Sequence, residues 1–417
     1  MGRKKTTTPN EQPMLTAGHA TTTATKCDVR VPANDTTPTV EAPASLKVID
    51  SHVCEQFAMY RGDSCEVLQG LPERSAHLSV FSPPFASLYT FSNSDRDVGN
   101  VADHAQFFDQ FVFIVKGLTR VMREGRIAAV HCMDLPTSKE RDGYIGITDF
   151  RGELVRAFAS VGRCPKCFLV QDRPEGLKHG AKFWPCLGCA TGTAQGWVYH
   201  SLSTIWKDPV TAMQRTKALG LLHKTVRGNA SMSRMGIPDY LVAMRAPGEV
   251  PRDERVRHAE TEYDVNHWQK IASPVWDDID PNDTLQHESA RDADDERHIC
   301  PLQLEVIRRA VELWSSPGEV VISPFAGIGS EGYVALGGHT KSKRAILPRK
   351  FVGIELKGSY YAQAVKNLIH ATKANRQQSL FDAPTRAPMP AVTTIDESSV
   401  MPSMPDLHDT ASLADTD

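Results

Sequence analysis

Apolar positions along this chain follow two periods, and their alternation predicts a sheet covered by helices. Leu78 to Phe81 is a short apolar run of strand length that stops at Pro83-Pro84. Phe107, Phe111, Ile114, Leu118 and Val121 then recur at helical spacing on one face. Arg123-Glu124-Gly125 ends that helix, and Ile127 to Cys132 is a second apolar strand. The alternation resumes near residue 301. Leu304, Ile307, Val311 and Trp314 mark an amphipathic helix, Val320 to Ile322 a strand, Glu331 to Leu336 a short helix and Phe351 to Ile354 a strand. Tyr361, Ala364, Val365 and Leu368 line a last helix. Such alternation predicts an α/β fold with a parallel sheet and helices on both faces.

The rest of the chain breaks the pattern. Residues 161–297 hold four cysteines, many Arg, Lys and His, and an acidic, poorly periodic stretch from about 276, and we read them as a region inserted between two halves of the sheet domain, 46–160 and 298–373. Residues 1–45 and 374–417 are rich in Thr, Pro, Ser and Ala with few large apolar residues, the composition of disordered tails. No internal repeat is evident.

Composition narrows the classes. Hydrophobic residues make up 41% of 417, enough for a substantial core. A net charge of -3 means that any contact with nucleic acid must come from local basic patches. No apolar stretch reaches 18 residues and no signal-peptide core opens the chain, so a cytoplasmic protein with no membrane span is expected. Its nine cysteines are then expected to be reduced, and grouped cysteines point to metal.

Two loops carry candidate chemistry. Ser323-Pro324-Phe325-Ala326-Gly327-Ile328-Gly329-Ser330 follows one strand and leads into a helix. Its glycines let the backbone approach a ligand, and the helix start favours a carboxylate such as that of a methionine moiety. Glu355, 26 residues after Gly329, ends the next strand, where a carboxylate can accept both hydroxyls of a ribose. No Gly-Lys-Ser/Thr follows the glycines, which excludes a phosphate-binding P-loop and leaves a nucleoside cofactor. The second loop is Ser82-Pro83-Pro84-Phe85, directly after the Leu78 strand. Its prolines remove two N–H donors, so acceptors remain, and acceptors suit an exocyclic amino group. Phe85 offers a flat face for an extruded base. The bland alternatives are two ordinary strand-ending turns and a solvated glutamate.

Cys164-x2-Cys167 and Cys186-x2-Cys189, 18 residues apart, have the spacing of a zinc knuckle. The interval contains Lys178, His179, Lys182 and Trp184, suited to backbone contact or stacking on DNA, although a purely structural knuckle fits equally. Farther on, Lys217, His223, Lys224, Arg227 and Arg234 surround Asn229, Ser231 and Ser233, groups natural to phosphates and base edges, and also natural to a solvated loop.

Ser82-Pro83-Pro84-Phe85, Pro324-Phe325-Ala326-Gly327-Ile328-Gly329-Ser330 and Gly353-Ile354-Glu355 together resemble the motifs of amino-methylating DNA methyltransferases, the N4-cytosine/N6-adenine family. The catalytic motif precedes the cofactor motif, which is similar to the permuted order of the beta group. Phe85-Ala86-Ser87-Leu88-Tyr89, Ile205-Trp206-Lys207-Asp208-Pro209 and His298-Ile299-Cys300-Pro301-Leu302 also look like the family, especially its phage-encoded members. The resemblance covers roughly 50–370 and implies a Rossmann-like, circularly permuted S-adenosylmethionine-dependent methyltransferase fold carrying the zinc-knuckle and target-recognition insertion. It implies that Ser82, Pro83, Pro84 and Phe85 hold the target base and that Phe325, Gly327, Gly329 and Ser330 cradle the methionine end of S-adenosyl-L-methionine. Glu355 would hold the ribose, Asp63 the adenine, and the segment around Pro301 would cover the methionine; a plain turn role fits Asp63 nearly as well.

The serine form of the motif resembles the N4-cytosine enzymes, and adenine N6 is the alternative target. C5 chemistry needs a thiolate, usually in a Pro-Cys-Gln loop, but Pro185-Cys186 is followed by Leu187 and Cys186 belongs to the knuckle. An RNA or protein amide methyltransferase is disfavoured by motif order, and a catalytically inactive zinc-containing DNA-binding protein by the intact motifs. Double-stranded DNA is the expected partner, with a separate restriction enzyme or phage self-protection as the setting, since no nuclease motif is evident. The sequence leaves the recognition site and the oligomeric state open.

Overall fold

The computed structural model describes residues 46–84, 104–137, 139–178, 180–210, 222–233, 235–258, 263–286, 301–341 and 344–381. The expected tail at 1–45 and, of the expected tail at 374–417, the residues from 382 lie outside them, as do Phe85, His179, Lys217, Arg234 and His298-Ile299-Cys300. Residues 1–377 form one unit; of the second, 378–417, only the helical residues to Phe381 are described.

In chain order the first block is β1 (Asp50–Val53), β2 (Phe57–Arg61), α1 (Ser64–Gly70), β3 (Ala76–Phe81), α2 (His104–Val121), β4 (Met122–Met133), β5 (Leu135–Pro136), α3 (Lys139–Asp142), β6 (Ile147–Thr148) and α4 (Phe150–Ala159). The middle contributes β7 (Val161–Arg163), β8 (Val170–Asp172), β9 (Phe183–Pro185), β10 (Thr193–Gly196), β11 (Val198–Ile205), α5 (His223–Gly228), β12 (Asp239–Arg245), α6 (Val265–Ala272) and β13 (Val275–Trp276). The last block is α7 (Leu304–Trp314), β14 (Val320–Ser323), α8 (Ser330–Ala335), β15 (Lys350–Glu355) and α9 (Gly358–Phe381). Helix α9 continues beyond residue 373, where the ordered body was expected to end.

Among the described residues one nine-stranded sheet runs β1-β2-β15-β14-β3-β4-β12-β11-β13. Strands β2, β15, β14, β3 and β4 are mutually parallel, and β12 pairs antiparallel with both β4 and β11. Strand alternation sorts the side chains onto two faces. Ala58, Tyr60, Phe81, Ala128, Val130, Cys132, Val242 and Met244 meet apolar residues of α1, α2 and α4. Phe57, Met59, Leu78, Val80, Ile127, Ala129, Leu241 and Ala243 meet α7, α8 and α9. Each fully buried large apolar side chain is worth roughly 1.5–3 kcal/mol, so a one-residue slip of any central strand would forfeit several such contributions at once.

Part of the region read as an insertion belongs to the large sheet. Strands β11, β12 and β13, within 161–297, extend the large sheet, because β12 is apolar on both faces and pairs with β4 over Ile127 to Met133. Among the described residues of this region, only 161–196 forms a separate sheet, β8-β7-β10-β9. Arg163 pins it to the main body: its buried guanidinium donates to the carbonyls of Thr119, Met122 and Pro247. Gly125, with φ 65°, lies inside β4 and does not terminate α2, which already ends at Val121.

Candidate active site

Parallel strands end together, and the chemistry-bearing loops of this chain leave from neighbouring ends. Ser82, Pro83 and Pro84 follow β3, and the loop 324–329 follows β14, its partner in the sheet. Ser79 Oγ donates to the Ile322 carbonyl across this pair at 3.1 Å. The rings of Phe81 and Phe325 pack at 5.9 Å between centroids, joining the end of β3 to the glycine loop. Glu355 ends β15 on the other side of β14, and Gly62-Asp63 follows β2 beyond that. Loops far apart in sequence therefore share one edge of the sheet.

The glycine loop is shaped by backbone that side chains disfavour. Gly327 and Gly329 have φ of 52° and 84°. A Cβ at Gly327 would meet nothing within 4 Å, so this glycine borders open space, whereas one at Gly329 would stand 3.2 Å from Ala364 Cβ. Gly327 N–H donates to Glu355 Oε2 at 2.9 Å and Lys357 N–H to Oε1 at 2.8 Å, so one carboxylate braces the loop. Ser64 Oγ donates to the Pro324 carbonyl, tying the start of α1 to the same turn. Ser323 Oγ, at the end of β14, is buried with no hydrogen-bond partner among the described residues. Ser330 opens α8 and is buried. Glu331 beside it is buried as well; burial first, and the Glu355 carboxylate second, push its carboxyl up to about 8.

Asp63 holds a defined local role: its Oδ1 accepts from Cys65 N–H at 2.8 Å and Glu66 N–H at 3.3 Å, capping α1. Pro301 is half-buried just ahead of α7, which packs on α8. Sequence reasoning missed His131 and Asp239, which with Lys207 form a chain that starts at Ser82. Ser82 Oγ lies 3.2 Å from His131 Nδ1; His131 Nε2 lies 3.1 Å from Asp239 Oδ2; Lys207 Nζ lies 2.5 Å from the same oxygen. The available signals were a histidine interrupting the apolar run of β4 and an aspartate opening β12.

The four cysteines of the paired motifs converge. Sγ atoms of Cys164 and Cys189 are 3.8 Å apart, those of Cys167 and Cys186 3.5 Å, and all four lie within 4.8 Å of one another. Tetrahedral thiolates around a zinc ion at about 2.3 Å would be separated by roughly 3.8 Å. Lys166 N–H and Gly188 N–H point at Cys164 Sγ (3.4 Å) and Cys186 Sγ (3.2 Å). A Cβ at Gly192 would fall against the sulfurs of Cys189 and Cys164.

One expectation for DNA contact changes. Trp184 cannot stack on a base, because alternation in β9 turns it into the small core with Cys164 and Ala194; Phe183, its neighbour, is the exposed ring. Trp206, just past β11, is 53% exposed, while its backbone N–H still donates to the Trp276 carbonyl at 3.0 Å. His223, Lys224 and Arg227 sit on α5, which buries none of its residues, while Asn229 caps the next turn through Ser231. No helix among the described residues is long and apolar enough to cross a membrane.

Comparison with known proteins adds the following. A family model described as DNA methylase, N6_N4_Mtase, matches residues 76–366. The type II methyltransferase M.Cfr9I of Citrobacter freundii is 24% identical over 338 residues, spanning 79% of this chain and 95% of that protein. A solved Thermus thermophilus protein described as a DNA modification methylase, in complex with S-adenosyl-L-methionine, aligns with a TM-score of 0.46 and 18% identity over 76% of this chain and 96% of its own. PvuII DNA methyltransferase, cytosine-N4-specific, aligns with a TM-score of 0.47 and 16% identity over 77% and 92% of the two chains.

Proposed function

This chain belongs to the N6_N4_Mtase family of DNA methylases, and from that premise we propose that it transfers a methyl group from S-adenosyl-L-methionine to N4 of cytosine in double-stranded DNA. The observation that carries the proposal is the contact of Phe81 with Phe325, which seats Ser82-Pro83-Pro84 beside the Gly327/Gly329 loop. A base held by the first loop and a cofactor held by the second would meet.

The residues fit the cofactor. Open space over Gly327 admits a ligand close to the backbone, and the Glu355 carboxylate at the strand end is an acceptor for ribose hydroxyls. Phe325, Gly327, Gly329 and Ser330 would hold the methionine end, Glu355 the ribose, Asp63 the adenine, and Pro301 would flank the methionine. When bound, the sulfonium supplies an electrophilic methyl group. The chain's own task is to orient the amino group: Ser82 Oγ and the proline carbonyls accept its N–H bonds, and Phe85 offers a stacking face. No enzyme-bound intermediate is required. A serine-hydrolase reading of Ser82 and His131 fails on chemistry, since Pro83 and Pro84 lack the backbone N–H groups that would stabilise an oxyanion after such a serine.

Serine at position 82 resembles the form of the motif found mostly in N4-cytosine enzymes, which supports cytosine as the base. The four cysteines fit a structural zinc ion, which would cross-link β7–β10 beside the sheet. The topology, with β3 before β14 in the chain and beside it in the sheet, supports the permuted, beta-group order. The role proposed is modification, with a separate restriction enzyme or protection of phage DNA as alternative settings, in the cytoplasm.

The test is incubation with methyl-labelled S-adenosyl-L-methionine and unmethylated duplex DNA, followed by nucleoside mass analysis. N4-methylcytosine is the expected product. N6-methyladenine would overturn the base assignment and keep the reaction. Bound cofactor with no labelled DNA would overturn the DNA substrate.

A further inference from the structure

We propose that Ser82, His131 and Asp239, held by Lys207, form a proton relay that takes the proton released by the target amino group. The inference rests on the methyl-transfer reading above and concerns residues that reading does not use. The register of the sheet creates the relay. Strand β3 pairs with β4 through Phe81 and Val130, and β12 pairs with β4 through Leu241 and His131. Side chains alternate, so Ser82, His131 and Asp239 project to the face of Val80, Ala129 and Leu241, opposite to Phe81, Val130 and Val242. One face at one sheet edge thus aligns hydroxyl, imidazole and carboxylate, with gaps of 3.2 and 3.1 Å.

The chemistry of the donors fixes the proton positions. A carboxylate only accepts, so His131 Nε2 carries the hydrogen directed at Asp239 Oδ2. His131 Nδ1 is left as an acceptor, and the Ser82 hydroxyl donates to it. The Ser82 oxygen then has lone pairs to accept an N–H of the substrate. Asp239 is 2% exposed. Burial by itself would raise its carboxyl, and the hydrogen bonds and charges of His131 and Lys207 hold it below the usual carboxylate range. The Asp239 carboxylate favours an imidazolium next to it, with Lys207 on the same oxygen offsetting part of that effect.

The step balances as follows. The amino nitrogen lone pair forms the N–CH3 bond as the S–CH3 bond breaks, its electron pair going to sulfur. The methylated nitrogen, now cationic, gives a proton to Ser82 Oγ while the Ser82 proton moves to His131 Nδ1. The product is neutral, Ser82 is restored, and His131 is an imidazolium paired with Asp239, which later loses its proton to solvent. His131 acts through Ser82 and is a positioning residue, not a group that touches the base.

The groups that face His131 are Ser82 after β3, Asp239 on β12 and Lys207 after β11. Asp134 on its own chain segment and Asp149 and Arg151 at the start of α4 lie around the neighbouring Cys132. The experiment is single-turnover methyl transfer to duplex DNA across pH for wild type, His131→Asn and His131→Gln, with cofactor affinity measured in parallel. The relay requires wild-type rates to fall on the acid side, where a protonated imidazole accepts nothing. Both variants should lose about 100-fold in rate and the acid limb, with cofactor affinity within about twofold of wild type. A variant that keeps the wild-type rate, or is slower with the acid limb intact, overturns the relay. If neither variant binds cofactor, Ser82→Ala carries the test, since it must lose the same limb, and its retention overturns the proposal. Wild type that binds cofactor and labels no DNA overturns the methyl-transfer reading instead, which separates the two failures.

Discussion

Glu355 does two jobs with one carboxylate. Its oxygens accept from Gly327 and Lys357 N–H, so the side chain that would bind ribose also braces the loop around it. Hydrogen bonds to charged groups contribute about 1.5–3 kcal/mol each. Glu355→Ala should therefore weaken S-adenosyl-L-methionine binding by about 10- to 100-fold, measured by calorimetry, with little change in circular dichroism; unchanged affinity would remove Glu355 from the cofactor site. Asp63 differs in kind, because its Oδ1 is engaged in capping α1. Asp63→Asn keeps a capping acceptor, so it should preserve the helix, and any loss of affinity then reports on adenine recognition.

Helix α8 is a short element under electrostatic load. It buries Glu331 one residue after the loop, with its carboxyl raised from 4.5 to about 8, chiefly by burial. A group raised in the folded state contributes stability that is complete below its unfolded value and lost as pH climbs through the folded one. The window here is 4.5 to about 8, and stability should decline across it. Glu331→Gln keeps the shape and removes the titration. Its stability by urea denaturation should exceed that of wild type by on the order of 3 kcal/mol at pH 8 and converge with it near pH 5; parallel curves for the two proteins would contradict this account.

On the scale of the molecule, the small sheet depends on the cysteine cluster in a way that the large sheet does not. The small sheet has its own minor core of Cys164, Trp184 and Ala194, and little other apolar material. The large sheet rests on two extensive cores. Cys186→Ser should thus abolish bound zinc, roughly one ion per chain by elemental analysis, and expose 161–196 to proteolysis. The main body should keep its cofactor affinity. Identical metal content in the variant would rule out the zinc assignment.

The local order of this protein was legible in its sequence. Apolar runs and period-3.6 patterns located β3, α2, α7, β14 and β15 to within a few residues, and the start but not the end of α9, because each buries one face or both. The turns at 324–329 and 82–84 were legible too as backbone shapes, since a positive φ favours Gly and a donor-free turn favours Pro. The cysteine pairs carried their own spacing. Strands β11 and β12 were not legible as parts of the main sheet, for their short runs carry no mark of the partner they join. Nor was the neighbourhood of Ser82. His131 and Asp239 lie 49 and 157 residues beyond it in the chain, and only strand register and the parity of side chains put them in line. Sequence by itself determined which backbone shapes and apolar faces exist; the tertiary structure decided which polar groups meet, because hydrogen bonding across a sheet depends on pairing that no local pattern encodes.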